Sequence, residues 1–198
     1  MSRMRVGIFG GTFNPPHKGH VNAAEAFVTG ASLDKLIIMP AFIPPHKEYE
    51  SVVSCEDRLE MCKIAFKDVN KTTVSDLEIS RGGKSYTYLT LEELSQDGVE
   101  LFFLCGTDMI LSMDTWKNPH IIFSLANICY IRRECDPKTS SLLKKKCEEY
   151  RAKFGAKVIE IESDVVEISS TEIRNGLINE DFLPADLIRY IDKKGLYR

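Results

Sequence analysis

Short apolar, β-branched segments alternate with helical patterns along this chain, and this alternation constrains the fold more than any other feature of the sequence. The predicted strands are residues 5–9, 35–40, 73–75, 100–105, 126–131 and 157–161. The predicted helices are residues 20–28, a helix that begins after Ser54, residues 87–96 and 140–154, a short helix after Ser169, and residues 184–193. Strands that alternate with helices form a parallel sheet covered on both faces. We therefore predict an α/β fold with one doubly wound parallel sheet.

The length and composition of the chain predict a single domain. Its 198 residues suffice to bury roughly 70% of the surface that the unfolded chain exposes, so folding requires no disulfide or metal. No repeat, low-complexity tract or long linker interrupts the sequence. We expect residues 1–198 to form one domain, with the C-terminal helices, about residues 169–198, packed on it.

The net charge and the cysteines restrict the partners of the chain. A net charge of −3 and a pI of about 5.9 do not indicate a positively charged surface that would bind nucleic acid. An anionic ligand must therefore be bound by a local site, which favours a small phosphorylated substrate. The six cysteines form no C-x-x-C pair and no zinc-finger spacing with a histidine, which favours reduced thiols in a reducing compartment.

Hydropathy gives no sign of a membrane partner. No run approaches the ~20 apolar residues that a membrane span requires, and the N-terminal residues MSRMRVGIFGG lack the apolar region of a signal peptide. We therefore expect a cytoplasmic protein without membrane or nucleic-acid partners. The sequence leaves open whether copies of the chain form a homo-oligomer.

Four segments should carry the chemistry, because ligands of doubly wound sheets bind beyond the carboxyl ends of the strands. These segments are residues 10–20, 41–47, 106–116 and 168–174. In the first, Gly10 and Gly11 follow a strand and allow close approach of the backbone to a phosphate. The segment is neither a dinucleotide G-x-G-x-x-G motif nor a P-loop.

Two histidines stand where the first helix begins. His17 and His20 are three residues apart, and Lys18 and the helix N-terminus add positive potential beside them. From the residues alone, an ordinary strand–helix connection with surface histidines is an alternative. A zinc site is a weaker alternative, because no carboxylate or cysteine lies near enough in sequence to be a third ligand.

The segment VEISSTEIR, residues 166–174, is a second candidate phosphate site. Ser169 and Glu172 have the spacing of a capping box, so the segment predicts at least the start of a helix. A helix N-terminus with the sequence S-S-T, followed by Arg174 one turn later, also offers amides, hydroxyls and a guanidinium to phosphate oxygens.

The two segments together resemble the nucleotidylyltransferase superfamily. GIFGGTFNPPHKGH matches G-x-F-[ND]-P-x-H-x-G-H, whose histidines hold ATP phosphates, and ISSTEIR matches I-S-S-T-x-[IL]-R, which contacts the triphosphate. The resemblance implies a Rossmann-like nucleotidylyltransferase fold. The ATP-binding residues that it implies are Gly10, Gly11, Thr12, Phe13, His17, His20, Gly106, Asp108, Ile168, Ser170, Thr171 and Arg174.

Further features are similar to the bacterial nicotinate mononucleotide adenylyltransferases over nearly the whole chain: P-P-H-K at 44–47, S-Y-T at 85–87, G-T-D at 106–108, and LPADLIRYIDKKGLY. The acceptor-binding residues that this resemblance implies are Asn14, Lys47, Ser85, Tyr86, Thr87 and Trp116. Trp116 would offer a flat face to the pyridine ring, and amides near Tyr86 and Thr87 would bind the nicotinate carboxylate.

Other positions have weaker assignments in this resemblance. Asp108 would accept from a ribose hydroxyl or orient the site around Mg²⁺, and Lys47 and Arg58 would add positive charge near the phosphates. As alternatives, Lys47 is a solvated loop residue, Arg58 a cation on a helix surface and Trp116 a core residue. Leu89 departs from the family, which often has an acidic or amide residue there.

The resemblance implies transfer of AMP from ATP to nicotinate mononucleotide, which gives nicotinate adenine dinucleotide and pyrophosphate for NAD biosynthesis. His17, His20, Lys18 and Arg174 would supply the catalytic electrostatics, with Mg²⁺ held mainly by ATP phosphates and not by side chains. Three alternatives stay open: another acceptor or a cytidylyl transfer on the same scaffold, a nucleotide sensor without turnover, and a nucleic-acid protein on the related synthetase-like scaffold.

Overall fold

The computed structural model describes residues 3–45, 53–131, 137–163, 168–176, 178–179 and 181–197. Within these ranges the strands form one six-stranded sheet in the order β3-β2-β1-β4-β5-β6, and every adjacent pair is parallel. The strands are β1 Met4–Gly11, β2 Lys35–Pro40, β3 Thr72–Val74, β4 Val99–Gly106, β5 Ala126–Ile131 and β6 Val158–Ile161. The predicted doubly wound parallel sheet is therefore confirmed, and each predicted strand ends within two residues of the observed one.

The helices cover both faces of the sheet and the loops that follow its strands. They are α1 Lys18–Gly30, α2 Cys55–Ala65, α3 Leu77–Arg81, α4 Thr87–Leu94, α5 Thr107–Ser112, the 3₁₀ turn Met113–Thr115, α6 Pro119–Leu125, α7 Pro137–Phe154, α8 Ser170–Arg174 and α9 Ala185–Lys194. The sequence predicted α1, α2, α4, α7, α8 and α9. The short helices α3, α5 and α6 were not predicted.

Two hydrophobic cores lie on opposite faces of the sheet. Along β2, Leu36 and Ile38 belong to the core under α1, α2 and α9, whereas Ile37 and Met39 belong to the core under α4, α6 and α7. This alternation follows from the two-residue period of a strand. A strand buried on both faces reads as a continuous apolar run, which is why these segments were recognisable in the sequence.

The strand order places a crevice at the carboxyl end of β1. The chain winds from β1 outward through β2 to β3, then returns to β4 on the other side of β1. The loops that follow β1 and β4 therefore diverge to opposite faces, and such a switch point is where open α/β sheets bind ligands. Among the described residues, no helix has the length and apolarity that crossing a bilayer requires.

Candidate active site

A cavity of about 390 Å³ opens at this switch point. Its volume lies in the range of small-molecule sites, roughly 300–1,000 Å³. The lining comes from the ends of β1 and β4 and from the segments after β2, β3 and β4. Predicted site residues in the lining are Gly10, Gly11, Thr12, Ser85, Tyr86, Thr87, Asp108 and Trp116. The structure thus brings most of the predicted acceptor residues to the same cavity as the glycines after β1.

The cavity lining includes an aromatic ring and a helix N-terminus. Trp116 packs edge-on against Phe103 of β4, with ring centroids 6.3 Å apart, and Tyr86 is the N-cap of α4, which begins at Thr87. The first-turn amides of a helix have no partners inside the helix and carry positive potential. The cavity therefore suits a flat ring that bears a negative charge.

Ser85 connects the cavity segment to the loop after β2. Its hydroxyl accepts a hydrogen bond of 2.9 Å from the Phe42 amide, and its own amide donates to the Ile43 carbonyl over 2.9 Å. The side chain is buried although it lines the cavity. Ser85 therefore fixes the position of α4, while its predicted contact with a substrate stays a prediction.

The buried carboxyl of Glu78 also lines the cavity, and the sequence analysis did not identify it. Its Oε1 accepts a hydrogen bond of 2.6 Å from the Thr90 hydroxyl, and the Arg81 guanidinium donates to the same hydroxyl over 2.9 Å. Burial raises the pKa of Glu78, and hydrogen bonds from Thr90 and Ser85 oppose this shift. The partner Thr90 stands twelve residues away, so no local sequence signal indicated the pair.

The two motif histidines lie together at the start of α1. Their ring centroids are 3.7 Å apart, and the His17 amide donates to His20 Nδ1 over 3.2 Å. His17 is the N-cap of the helix and is buried. Lys18, also predicted at this site, begins α1, and its amide donates to the Phe182 carbonyl over 2.8 Å.

The aromatic ring of Phe13 packs against one histidine of this pair. Its ring packs edge-on against His20 at 5.1 Å and against Phe66 at 5.7 Å. The residue has φ of 49°, a left-handed conformation that is strained for a bulky side chain. The buried ring thus holds the turn that orients Thr12 and Asn14. Phe13 was predicted to bind ATP, and in the structure its side chain lies in the core.

Helix α8 is bound directly to the loop after β1. The Ser170 hydroxyl donates to the Pro15 carbonyl over 2.9 Å, and the Arg174 guanidinium donates to the Asn14 carbonyl over 2.8 Å. Arg174 also donates to the Thr171 hydroxyl over 3.1 Å. The two sequence motifs, about 150 residues apart, therefore meet. Contact of these side chains with phosphate remains a prediction.

The capping box predicted at the start of α8 is present. Ser169 accepts from the amide of Glu172, and the Glu172 carboxylate accepts from the amide of Ser169 over 2.8 Å. These hydrogen bonds lower the pKa of Glu172. The side chain of Ile168, another predicted ATP-binding residue, lies in the core beneath this turn. The turn is therefore anchored from inside by an apolar residue.

Arg58 is not a cation on a helix surface. Only 1% of the residue is exposed, and its guanidinium donates to the carbonyls of Thr12, Phe42 and Val53 at 2.9, 3.2 and 3.2 Å. Because these carbonyls belong to the loops after β1 and β2, Arg58 connects the two loops beneath the site. That surface interpretation was wrong because the sequence of α2 does not show what covers the helix.

Of the remaining predicted residues, two lie at the site and one lies outside the described residues. Gly106 is the N-cap of α5, and Asp108 lies in the first turn of that helix and lines the cavity. Lys47 lies outside the described residues. Within those residues, no three histidine, cysteine or acidic side chains come together as metal ligands would.

Comparisons with known proteins show the family of the chain. The cytidylyltransferase-like family model matches residues 8–176. A probable nicotinate-nucleotide adenylyltransferase of Clostridium botulinum is 38% identical over 98% of both chains. One from Clostridium perfringens is 36% identical over the same shares.

A solved structure, the Plasmodium falciparum nicotinic acid mononucleotide adenylyltransferase complexed with NaAD, has a TM-score of 0.75 over 98% of this chain and 97% of its own. At 22% identity it shows the shared fold alone. Since the family model covers most of the chain and the clostridial relatives are aligned over nearly their whole length, the chain belongs to the cytidylyltransferase-like family and, within it, to the nicotinate-nucleotide adenylyltransferases.

Proposed function

We propose that the chain transfers the AMP part of ATP to nicotinate mononucleotide and so makes nicotinate adenine dinucleotide and pyrophosphate for NAD biosynthesis. The observation that carries this proposal is the arrangement around β1. A cavity of small-molecule size is lined by Trp116 and by the glycines after β1, and the loop continues from these glycines to the histidine pair. Clostridial relatives carry the name of this activity. The fold neighbours from Plasmodium falciparum are described as complexes with NaAD and with APC.

The acceptor would bind with its pyridine ring against Trp116. Its carboxylate would accept hydrogen bonds from the first-turn amides of α4, near Tyr86 and Thr87, where the helix potential is positive. Asp108, which lines the same cavity, would accept from a ribose hydroxyl. This arrangement would leave the acceptor phosphate at the Gly10–Gly11 end, next to the ATP site.

The chemistry would consist of positioning and charge stabilisation. An oxygen of the acceptor phosphate, already ionised at neutral pH, attacks the α-phosphorus of ATP. The bond between that phosphorus and the bridging oxygen to the β-phosphate breaks, and pyrophosphate leaves with the electron pair. His20, Lys18 and Arg174 would stabilise the transferring and leaving phosphates, with His17 ordering the loop. No protein nucleophile or general base is needed.

ATP would enter with Mg²⁺, which would neutralise charge on its phosphates. The ATP phosphates would mainly hold the metal, and Asp108, whose carboxylate lines the cavity, would orient the site around it. We further propose that the 198 residues act as one cytoplasmic domain. In support of the single domain, α9 places Leu187 and Ile191 in the same core as α1 and α2.

Pyrophosphate release from Mg·ATP tests the proposal, with nicotinate mononucleotide, nicotinamide mononucleotide and phosphopantetheine offered in parallel. We expect strong preference for the nicotinate compound. Release with a different acceptor would keep the ATP site and overturn the assignment of the cavity. ATP binding without release from any of the three would identify a nucleotide sensor instead.

A further inference from the structure

The C-terminal segment reaches back to the loop that carries the histidines. The Tyr197 hydroxyl donates a hydrogen bond of 2.6 Å to Asn14 Oδ1, across 183 positions of sequence. Asn14 is 5% exposed, and its main-chain carbonyl accepts a second hydrogen bond from Arg174. Asn14 is thus bound at both of its oxygens, by α8 on one side and by the C-terminus on the other.

Tyr197 is held in a conformation that needs support. It follows the C-cap of α9 at Gly195 and has φ of 61°, which aromatic residues seldom adopt. Its hydroxyl has one other neighbour in hydrogen-bonding range among the described residues, the sulfur of Met61 at 3.9 Å. A thioether is a weak acceptor, so the Asn14 oxygen is the partner that satisfies the hydroxyl proton.

The hydroxyl stays a donor over the working pH range. Burial raises the pKa of Tyr197, while the nearby charges of Arg174 and Arg58 oppose the shift. A buried hydroxyl that lost its acceptor would keep its desolvation cost, so the hydrogen bond fixes the side chain of Asn14 as well as that of Tyr197.

We propose that Tyr197 is a positioning residue for adenylyl transfer. Its hydrogen bond to Asn14 keeps the loop of residues 12–17 in a fixed position relative to Arg174 and the histidine pair. This inference rests on the proposed function. The feature that matters is an oxygen acceptor at position 14, since both contacts end on oxygen. The carboxamide nitrogen of Asn14 donates no hydrogen bond to a described residue, so it is not needed for the contacts with Tyr197 and Arg174.

The geometry separates the ATP side of the site from the acceptor side. The resemblance assigned Asn14 to the acceptor, but Asn14 is joined to Tyr197 and Arg174 at the histidine loop and is not part of the cavity lining. Trp116 and Tyr86 do line the cavity, beside β4 and at the start of α4. Loss of the Tyr197 hydroxyl should therefore impair use of ATP and leave the affinity for the mononucleotide unchanged. A general loosening of the fold would change both.

Steady-state kinetics of Tyr197→Phe test this proposal. We expect kcat/KM for ATP to fall about tenfold and KM for nicotinate mononucleotide to stay within about twofold of the unchanged protein. Tyr190→Phe is the matched control, because Tyr190 lies on α9 and its hydroxyl donates to Asp57 Oδ1 over 2.7 Å, outside the site. Turnover of the control should be unchanged.

Two substitutions at position 14 extend the test. Asn14→Asp retains the oxygen acceptor and should keep kcat/KM for ATP within about threefold, whereas Asn14→Leu removes the acceptor and should match Tyr197→Phe. The double variant Asn14→Leu with Tyr197→Phe should be no worse than Asn14→Leu alone. Circular dichroism and thermal melting check that each variant is folded.

Several results would overturn the proposal. These are unchanged use of ATP by folded Tyr197→Phe, an additive double variant, an equal loss in Tyr190→Phe, or an equal rise in KM for the mononucleotide. Failure of Tyr197→Phe to fold would leave Asn14→Asp and Asn14→Leu to decide, since equal activity of these two would also contradict it. Absence of pyrophosphate release from the unchanged protein would instead overturn the proposed function, and this inference with it.

Discussion

At the scale of single residues, His20 is the side chain on which the proposed reaction depends most directly. It lies on the first turn of α1, between the ring of His17 and the ring of Phe13. We expect His20→Ala to lower kcat by 10²-fold or more, roughly 2.7 kcal/mol in the barrier, because a donor to the transferring phosphate is lost. Pyrophosphate release under saturating substrates measures this change.

His120→Ala is the control for that substitution. His120 is exposed on α6, outside the cavity lining, so its removal should leave kcat unchanged. Near-normal turnover of a folded His20→Ala variant would contradict the role given to His20.

Trp116 carries a prediction about the acceptor alone. Trp116→Ala should raise KM for nicotinate mononucleotide about tenfold, since an aromatic contact worth roughly 0.5–1.5 kcal/mol and its buried area are lost. KM for ATP should stay nearly constant, because Trp116 lines the cavity and the histidine pair does not. Initial rates with each substrate varied in turn distinguish the two effects, and an equal rise in both constants would contradict the assignment.

Sequence reasoning identified site residues whose partners are close along the chain or that belong to a compact motif. His17 and His20 are three residues apart, and Ser169 with Glu172 has capping-box spacing, so their geometry follows from helix periodicity. The contacts of Glu78 and Tyr197 were not predictable in this way. Their partners stand twelve and 183 positions away, and only the folded topology brings each pair together.

At the scale of elements, strands were predicted better than short helices. A strand buried on both faces is a continuous apolar run, whereas α3, α5 and α6 have only five to seven residues, too few for a clear helical period. Pro119 at the first position of α6 was a helix-start signal that the sequence analysis did not use.

Arg58 allows a test of how α2 supports the site. Arg58→Met should lower the free energy of unfolding by at least about 2 kcal/mol, because buried carbonyls of the loops after β1 and β2 lose their donors. Lys63→Met is the control on the same helix, since Lys63 is exposed in a surface ion pair with Glu60 and its change should be within about 0.5 kcal/mol. Urea denaturation measures both, and equal effects would contradict the structural role of Arg58.

At the scale of the whole molecule, carboxylates join elements that are distant in sequence and make stability depend on pH. Asp114 accepts from Lys146 over 2.8 Å and from the Tyr150 hydroxyl over 3.0 Å, which connects the turn after α5 to α7. Asp57 accepts from Tyr190 over 2.7 Å, which connects α2 to α9. Hydrogen bonds from Lys146 lower the pKa of Asp114, and those from Tyr190 lower the pKa of Asp57.

A carboxyl whose pKa is lower in the folded state binds protons more tightly when the chain is unfolded. Its contribution to stability is therefore complete above the unfolded pKa, about 3.9 for aspartate, and is lost as the pH falls through the folded value. Glu78 acts in the opposite direction, because burial raises its pKa and protonation then favours the folded state. Since Asp114 and Asp57 both have lowered pKa values, we expect net destabilisation in acid.

Asp114→Asn isolates one part of that acid response. At pH 7 the variant should be less stable than the unchanged protein, because the charge that pairs with Lys146 is gone. As the pH falls below about 4, protonation of Asp114 removes the same charge from the unchanged protein, so the two unfolding free energies should approach each other. Urea denaturation between pH 7 and pH 3 measures this convergence, with Asp97→Asn, at an exposed position, as the control that should follow the unchanged protein throughout. A constant stability difference across this range would show that the Asp114 carboxylate contributes no charge interaction to the fold.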